Sequence, residues 1–544
     1  MKRTVLPIII LCMALSAKAQ ENVTVPTSSM QKLGMTEDKE MKEFVEEAYK
    51  EYYEFRKECF EEYIEFARDA WKWVDLEPAL PYPKEVEYVP EILNDDPLTD
   101  SWLSRQATNL KNKILGIFNS KKKKEQAADT MPNAAAPDKK PNVSVEVKNF
   151  VKVNPPKEKY SQPQPIHPIG SFKEKENPYY TFTSFGTEYK VRIGDNCRFK
   201  LMQVCKSDII DEFKKLFSPQ FDNVIHDCLK ARKEHHLSDW AYLQMLCSLV
   251  DSFYGVDTPE ANIALAFIYM QSGYKVRLAH DDNKVFLLIA SRHAIAGNPR
   301  YRVEGETFNV FRNNDVRKLC ICDTPYMKEQ GMSLVIPEVQ EFAVASSEPK
   351  EYSSNKYPDF SFKVNVNKNL IDFFNTYPCS TVDGDFTTKW LMYAKTPISE
   401  EVKNQLYPQM RAKLDGLPEV EAVNRLLNWV QSAFKYEYDN VVWGYDRPFF
   451  AEETLFYPKS DCEDHAILFA HLVKDVLGLN VALVYLRNHL ASAVEFTDRV
   501  EGNCFIVDGH RYVFCDPTLL FGDVGEAGSN TFEESRVILL SREL

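Results

Sequence analysis

The stretch Ser460-Asp461-Cys462-Glu463 decides how the C-terminal part of this chain is interpreted. Ser460, with Glu463 three residues later, fits the capping-box pattern of a helix N-terminus. Apolar residues follow at helical spacing, so a helix is predicted over 462–478. Cys462 would then lie in the first turn, where unpaired N–H groups and the helix dipole stabilise a thiolate and can hold a developing oxyanion.

Two polar residues follow Cys462 at equal intervals of 27 residues, from 462 to 489 and from 489 to 516. His489 stands at the start of a predicted strand, and Asp516 closes the next predicted hairpin. Adjacent antiparallel strands can present a histidine and an aspartate side by side above a helix end. Asp516 would then orient the imidazole, and His489 would activate the thiol.

The chain beyond residue 180 contains what we interpret as two copies of one helix–helix–sheet unit. In each copy two helices precede three strand segments, and the third segment is a hairpin. The first copy has helices at 241–253 and about 259–273, and strands at 274–279, 284–290 and 301–311. The second has helices at 422–434 and 462–478, and strands at 481–486, 490–496 and 503–515.

A duplication is the economical explanation of this pattern. Ala241, Leu246 and Phe253 match Ala422, Leu427 and Phe434 at one constant offset, and the Glu304-Gly305 turn matches Asp508-Gly509. Each matched feature alone is common, so chance agreement is the alternative. The order of the features favours the duplication.

Three strings around the predicted site resemble the catalytic core of the transglutaminase-like superfamily, particularly its exported bacterial members. They are Asp461-Cys462-Glu463-Asp464, His489-Leu490-Ala491 and Cys515-Asp516-Pro517-Thr518. The resemblance covers about 419–525. It implies an α+β fold with a papain-like core, in which helices pack on an antiparallel sheet.

The resemblance also implies roles for individual residues. Cys462 would be the nucleophile, His489 the general base and acid, and Asp516 the orienting carboxylate. The family uses a polar or aromatic residue ahead of the cysteine near the oxyanion. Trp443 and Tyr457 are both candidates, and the sequence does not choose between them.

The first copy is predicted to be catalytically dead. It also has no counterpart of the segment 437–460, which separates the two helices of the second copy and would form one wall of a cleft. At the positions that correspond to the triad, it carries Thr258 or Asp257, Lys284 or Val285, and Arg312 or Phe311.

The N-terminus reads as an export signal. Lys2 and Arg3 precede an apolar run over 5–15, and Ala17-Lys18-Ala19 fits a cleavage site before Gln20. Cys12 follows a leucine rather than a small residue, so lipid attachment is the weaker alternative. The mature protein is therefore expected to be soluble and periplasmic or extracellular, with no later apolar run of the ~20 residues that span a bilayer.

The rest of the chain is assigned to five regions. A helical region is predicted over 20–118, with a long amphipathic helix that begins at Thr36 and ends before Pro81. A Pro/Lys-rich linker with a short strand around Val145 follows over 119–178. A degenerate domain (179–330), a β-rich connecting region (331–400) and a catalytic domain (401–544) complete the chain.

Composition excludes several classes of protein. The chain has 544 residues, of which 44% are hydrophobic, and a net charge of -14. A wholly disordered protein is excluded by the apolar content, and the negative charge disfavours nucleic acid or an anionic membrane as partner. Eleven cysteines remain after signal cleavage, an odd number that does not look like a small disulfide scaffold.

No metal site or cofactor is predicted. His465 and His471 are six residues apart on one helix, which is off the spacing for a shared metal ion. A structural role is expected for Cys320 and Cys322, and a disulfide between Cys504 and Cys515 is not expected.

Two functions of different class follow from the sequence. The first is an exported thiol enzyme that transfers an acyl group from an amide in a peptide, protein or peptidoglycan-like substrate. Hydrolysis is favoured over cross-linking to an amine. The alternative is a non-catalytic envelope protein that uses both copies as binding or scaffold modules. The enzyme hypothesis predicts that the pKa of Cys462 falls below about 8.5, which requires the neighbouring carboxylates to point away from sulfur.

Overall fold

A computed structural model of the chain describes residues 54–55, 58, 68, 70–75, 145–155, 160–173, 176–281, 283–303, 306–312, 316, 318–322, 328–487, 489–528 and 530–540. The predicted signal peptide, nearly all of the predicted N-terminal helix and the lysine-rich stretch at 119–142 lie outside these residues. The expected end of that helix, just before Pro81, is wrong, because Trp71–Asp75 form a strand that pairs with Lys318–Cys322. The chain divides into two compact units. Unit 1 takes its residues from 1–81, 157–346 and 367–392, and unit 2 from 82–156, 347–366 and 393–544.

The helices are numbered in chain order over the described residues. They are α1 (Lys206–Lys215), α2 (Pro219–Glu234), α3 (Asp239–Tyr254), α4 (Pro259–Gln271), α5 (Lys368–Phe374), α6 (Thr388–Lys395), α7 (Glu400–Leu414), α8 (Glu419–Ala433), α9 (Asp439–Val442), α10 (Ala451–Phe456) and α11 (Cys462–Leu472). A π-helical turn (Val473–Leu477) directly follows α11.

The strands are numbered in the same way. They are β1 (Trp71–Asp75), β2 (Glu146–Val147), β3 (Val151–Val153), β4 (Tyr179–Ser184), β5 (Thr187–Arg192), β6 (Val276–His280), β7 (Val285–Ala290), β8 (His293–Ile295), β9 (Arg300–Val303), β10 (Glu306–Phe311), β11 (Lys318–Cys322), β12 (Lys350–Ser353), β13 (Ser361–Val364), β14 (Ser380–Val382), β15 (Asn480–Leu486), β16 (His489–Glu495), β17 (Cys504–Val507), β18 (His510–Cys515) and β19 (Arg536–Leu539).

Unit 1 is built around a six-stranded antiparallel sheet in the order β1-β11-β6-β7-β10-β9. All residues of the central strands β6 and β7 are buried. The continuous apolar run of β7 is typical of such a strand, whereas β6 also buries Arg277 and His280. Helix α4 packs on these two strands and is buried from Ala261 to Gln271. Thr258 caps α4 by accepting a hydrogen bond from the N–H of Ala261 at 3.2 Å.

His293 in β8 makes the stability of unit 1 dependent on pH. Its side chain is buried, and burial followed by the nearby charge of Arg292 lowers its pKa to about 4. The unfolded chain binds the proton below about pH 6.5, whereas the folded chain binds it only near pH 4, so stability falls as the pH drops through this window. Between pH 7 and pH 5, the free energy of unfolding should therefore fall by about 2 kcal/mol less in His293→Leu than in the wild type.

Melting temperatures at the two pH values test this expectation. The drop from pH 7 to pH 5 should be smaller in His293→Leu than in the wild type. His235→Leu is the matched control, because His235 is only partly buried at the end of α2. Equal drops in the wild type and His293→Leu would contradict the assignment of this histidine.

Unit 2 contains a seven-stranded sheet in the order β2-β17-β18-β16-β15-β19-β3. Its five central strands pair antiparallel, and the two edge strands β2 and β3 add parallel to them. One face is covered by α11, which packs on β15 and β16 and in turn contacts α8. The other face carries an apolar cluster that includes Ala491, Phe505 and Phe514. The short strand predicted around Val145 is confirmed by β2.

The strand connections of unit 2 follow local turn chemistry. Asp508 and Gly509 join β17 to β18 with φ values of 52° and 84°. Two successive positive φ angles are typical of a tight hairpin, which confirms the predicted turn. The predicted helix over 462–478 is more complex than expected, because the α-helix ends at Leu472 and continues as the π-helical turn up to Gly478, whose φ is 72°.

The two sheets have the same order of corresponding strands. In unit 1, the strands that come after α3 and α4 in the chain lie side by side in the order β11-β6-β7-β10-β9. In unit 2, the strands that come after α8 and α11 lie in the order β19-β15-β16-β18-β17. The duplication remains a prediction, and this shared order is the observation in its favour. The stretch at 331–400, predicted as a β-rich connection, holds α5 and α6 as well as three short strands and is divided between the units.

Within the described part of the chain, no helix combines the length and the apolar character that crossing a membrane requires.

Candidate active site

Cys462 is the first residue of α11. Asp461 is the N-cap residue, and the carboxylate of Asp464 accepts the N–H of Asp461 at 3.0 Å to complete a capping box. The predicted cap at Ser460 with Glu463 is therefore wrong by one residue. Ser460 does not cap the helix, because its hydroxyl oxygen lies 2.9 Å from Nε2 of the buried His465. The prediction that Cys462 lies in the first turn is confirmed.

The thiol of Cys462 is held by groups from two elements. Its Sγ donates to Oε2 of Glu463 at 3.1 Å, and the backbone N–H of Leu490 in β16 bonds to the sulfur. Burial and the charges of Glu463 and Asp461 raise the pKa of the thiol well above its usual value, and the bond from Leu490 opposes them. The expected low pKa is wrong for this arrangement, since it required the carboxylates to point away from sulfur.

His489 and Asp516 form a direct pair at one end of the sheet. Nε2 of His489 lies 3.0 Å from Oδ2 of Asp516. His489 is the first residue of β16, and Asp516 directly follows β18, the strand that pairs with β16. The predicted placement of the two side chains on adjacent antiparallel strands agrees with this geometry.

Asp516 is a charged group whose oxygens are fully used. Oδ1 accepts from the N–H and the hydroxyl of Thr518 at 2.9 and 2.7 Å, and Oδ2 also accepts from Nδ2 of Asn530 at 2.8 Å. Burial acts to raise the pKa of Asp516, but His489 and Thr518 outweigh it and hold the pKa well below the usual range. Burial acts to lower the pKa of His489, and Asp516 followed by Glu463 raises it above its usual value.

These contacts bring the thiol and the imidazole–carboxylate pair to one place. Leu490, whose amide bonds to the sulfur of Cys462, is the neighbour of His489 in the chain. Because Nε2 of the imidazole faces Asp516, Nδ1 is the nitrogen that could exchange a proton with the thiol. Of the first-turn N–H groups of α11, that of Asp464 is taken by the carboxylate of Asp461, whereas those of Cys462 and Glu463 have no partner within the helix backbone and are suited to an oxyanion.

Trp443 and Tyr457, the two predicted oxyanion candidates, are placed together around Arg447. Their ring centroids are 5.0 Å apart, and both rings surround the guanidinium of Arg447. The aromatic residue that lies beside the thiol is Tyr436, whose pKa is raised by burial and then by the charges of Cys462 and Asp461. Sequence reasoning missed Tyr436, and its position just after the predicted helix at 422–434 was the available signal.

Gln431 of α8 positions the loop that carries Asp516. Its Nε2 donates to the backbone carbonyls of Asp516 at 3.0 Å and Gly522 at 2.9 Å, and its side chain is buried. We expect Gln431→Leu to lower the free energy of unfolding by about 1–3 kcal/mol, because two buried carbonyls lose their donor. Any activity of the site should fall with the loss of this support.

Urea unfolding of the variant tests this expectation. Gln409→Leu is the matched control, because Gln409 is exposed and donates only within its own helix. A Gln431→Leu protein as stable as the control would contradict the role given to this amide.

A second feature that sequence reasoning missed is a group of five carboxylates beside the thiol. Asp439 and Asp446 come from the segment before α10, and Asp461, Glu463 and Asp464 come from the start of α11. In three overlapping groups, their oxygens and the sulfur of Cys462 lie within 4.8 Å of one another. Burial and the charge of Glu463 raise the pKa of Asp439 to about 8. Among the described residues of unit 2, these carboxylates and the thiol of Cys462 form the groups that could hold a metal ion.

The other predicted alternatives have ordinary structural surroundings. His465 is buried, and burial lowers its pKa to about 4. The ten cysteines among the described residues are all free thiols, and Cys504 pairs in register with Val513 rather than with Cys515. Cys320 is buried in β11, in line with a structural role.

The segment that carries this site is similar to a known protein family. Residues 408–517 match the family described as the Transglutaminase-like superfamily. This segment is a transglutaminase-like domain. The match runs from α7 to the residue after Asp516 and includes Cys462 and His489, so it confirms the resemblance seen in the sequence. No curated protein matches the chain.

Unit 1 carries different residues at the positions that correspond to the site of the transglutaminase-like domain. Helix α4 begins with Pro259, β7 begins with Val285, and Arg312 directly follows β10. Arg312 makes a two-point ion pair with Asp251 at 2.9 and 2.7 Å. The first helical residue is Pro259, one position after Thr258 and two after Asp257, the residues predicted to correspond to Cys462.

Proposed function

We propose that the protein is an exported cysteine-dependent enzyme that cleaves an amide or peptide bond by acyl transfer, with water as the main acceptor. The observation that carries this proposal is the pair of His489 and Asp516, 3.0 Å apart, together with the amide of Leu490, the residue after His489, which bonds to the thiol at the N-terminus of α11. The superfamily of the matching domain includes cysteine enzymes, which supports a reaction of this class.

The proposed reaction has two stages. In the first, Nδ1 of His489 takes the thiol proton, and the sulfur of Cys462 attacks the carbonyl carbon of the amide. The C–N bond then breaks, the imidazolium gives its proton to the leaving amine, and a thioester remains on Cys462. In the second, His489 takes a proton from water, whose oxygen attacks the thioester, and the carboxylic acid and the free thiol are released.

Particular groups support each stage. Asp516 holds the imidazole with its proton on Nε2 and stabilises the imidazolium. The N–H groups of the first turn of α11 face the place where negative charge develops on the carbonyl oxygen. The thiol must break its hydrogen bond to the carboxylate of Glu463 before His489 can take its proton.

A non-catalytic binding protein is the second candidate, and one observation favours it. The thiol donates to Glu463 and has a raised pKa, which is the opposite of what an activated nucleophile needs. The two candidates make different predictions for turnover.

The test is a screen of the purified protein that begins at Gln20. Peptide libraries and peptidoglycan fragments are supplied with and without a fluorescent primary amine. The proposal expects new carboxyl and amino ends that depend on Cys462, while amine incorporation would instead indicate cross-linking. Cys205→Ala is the matched control, because Cys205 is also a partly exposed thiol at a helix N-terminus. Binding of a substrate without any turnover would favour the second candidate.

A further inference from the structure

The exposed large apolar side chains of unit 2 are concentrated in two short segments, 438–445 and 520–521, which we call the apolar flanks. The exposed side chains in these flanks are Tyr438, Val441, Val442, Tyr445, Leu520 and Phe521. Among the other described residues of unit 2, only Val145, Val151 and Ile506 are large, apolar and exposed. Single apolar residues on a surface are ordinary, whereas grouped ones mark a place where a ligand or partner binds.

The first apolar flank is joined at both ends to the chain around the thiol. Just before it, the backbone N–H of Glu437 donates to the carbonyl of Ser460 at 3.0 Å, two residues ahead of Cys462. Just after it, a carboxylate oxygen of Asp446 lies within 4.8 Å of one of Glu463, the residue that accepts the hydrogen bond of the thiol. This flank therefore borders the thiol.

The second apolar flank belongs to the loop that carries Asp516. One nitrogen, Nε2 of Gln431, donates to the carbonyls of both Asp516 and Gly522, at 3.0 and 2.9 Å, so these two carbonyls are neighbours. Within the loop, the N–H of Leu519 donates to the carbonyl of Asp516 at 3.3 Å. Phe521 therefore lies in a tight loop beside the imidazole–carboxylate pair.

The backbone of Phe521 has a conformation that bulky residues rarely adopt. Its φ of 63° lies in the left-handed region, and its exposed fraction is 63%. Such a conformation costs free energy, and a largely exposed ring gains little burial to offset this cost. The ring therefore contributes little to folding and is available to a ligand.

We propose, on the basis of the acyl-transfer function above, that the apolar flanks bind a peptide substrate with large apolar or aromatic side chains close to the scissile amide. The thiol can attack an amide carbonyl only at about 3–3.5 Å. An extended peptide advances about 3.3 Å per residue, so its first residues on either side of that amide must cross the surface that borders the thiol. The flanks are the exposed apolar part of this border.

The charge around the thiol adds a second element of selectivity. The carboxylates of Asp446 and Glu463 lie beside the sulfur of Cys462, and the whole chain has a net charge of -14. An acidic side chain next to the scissile amide would be repelled, most strongly where the bound substrate excludes water. The expected substrate is therefore apolar and free of acidic residues near the cleaved bond.

A randomised peptide library tests this preference directly. The protein that begins at Gln20 cleaves the library, and the product ends are sequenced by mass spectrometry. Phenylalanine, tyrosine, leucine and valine should be enriched about fivefold or more near the cleaved bond, and aspartate and glutamate should be depleted there. Preferred cleavage of polar or acidic peptides, or of peptidoglycan fragments, would overturn the inference and leave the proposed reaction intact.

Variants of the flanks test the residues themselves. Phe521→Asn and Tyr445→Ser should each lower kcat/KM for an apolar peptide about tenfold, through KM rather than kcat. The melting temperature of Phe521→Asn should stay the same or rise, because asparagine tolerates a positive φ better than phenylalanine does. Ile506→Ser, on β17 and outside both flanks, should leave kcat/KM unchanged. An unchanged KM in both flank variants would overturn the inference.

Binding to Cys462→Ser separates this inference from the proposed reaction. The probe is a fluorescein-labelled octapeptide with a central Phe-Leu pair among alanine and lysine residues, followed by fluorescence polarisation. It should bind Cys462→Ser, and adding Phe521→Asn should weaken this binding about tenfold. Such binding without turnover by the wild type would overturn the reaction alone. Absence of binding, or binding that is indifferent to Phe521, would overturn the inference.

Discussion

Replacing Cys462 by serine should reduce amide turnover by about 10⁴-fold or more, the largest effect expected of any single change. The proposed reaction forms its covalent intermediate on this sulfur, and a serine hydroxyl is a much weaker nucleophile beside the same imidazole. Substrate binding should change little, because the substitution is nearly isosteric. The effect should therefore appear in kcat rather than in KM, and steady-state kinetics on a substrate from the screen measures it.

Two comparisons make this result specific. Cys205→Ser alters a partly exposed thiol at the start of α1 and should leave turnover within twofold of the wild type. The melting temperature of Cys462→Ser should equal or exceed that of the wild type, because the serine hydroxyl can donate to the carboxylate of Glu463 as the thiol does. Turnover that survives in Cys462→Ser would rule out the proposed nucleophile.

Asp516→Asn should reduce kcat by about 10³- to 10⁴-fold while the fold is retained. The asparagine oxygen would keep the two bonds from Thr518, so its NH₂ group would face Nε2 of His489 and Nδ2 of Asn530. Nε2 would then have to accept a hydrogen bond, which moves the imidazole proton to Nδ1. In that tautomer Nδ1 cannot take the proton from Cys462.

The control for this change lies in the same loop. Asp523 pairs with Lys356 on the partly exposed side of unit 2, and Asp523→Asn should leave kcat nearly unchanged. In Asp516→Asn, a second substitution of Asn530 by aspartate should restore part of the activity, because a carboxylate would again be close to Nε2. A kcat of Asp516→Asn within tenfold of the wild type would contradict the orienting role.

Local sequence patterns were sufficient to predict the helices and strands that carry the site in unit 2. The apolar helix at 462–478, the strands on either side of His489 and the Asp508-Gly509 turn all follow from periodicity and turn chemistry. Because β16 and β18 are neighbours in a meander, the meeting of His489 and Asp516 also followed from chain order.

Contacts between distant parts of the chain could not be predicted in this way. Strand β1 pairs with β11, and β2 adds to β17 in parallel, over separations of more than two hundred residues. No local pattern identifies such partners, because edge pairing depends on which strand end is left uncovered. The same limit hid the meeting of Asp439 with the start of α11.

The error at the helix cap has a simple physical origin. Ser460, Asp461 and Glu463 are all compatible with a capping box, and the sequence does not show which residue the chain places at the cap. A shift of one residue turned Glu463 from a capping partner into the acceptor of the thiol hydrogen bond. That shift also reversed the expected direction of the pKa of Cys462.

The most direct test of the central claim is to trap the covalent intermediate. A substrate from the screen is mixed with the protein, the reaction is quenched in acid during turnover, and the digested protein is analysed by mass spectrometry. The account predicts the mass of the substrate acyl group on Cys462, labile to hydroxylamine as a thioester. When the His489→Ala variant is acylated by an activated ester, the acyl group should accumulate on Cys462, because the base that activates water is missing. Turnover without an acyl group on Cys462, or with the group on another residue, would contradict the account.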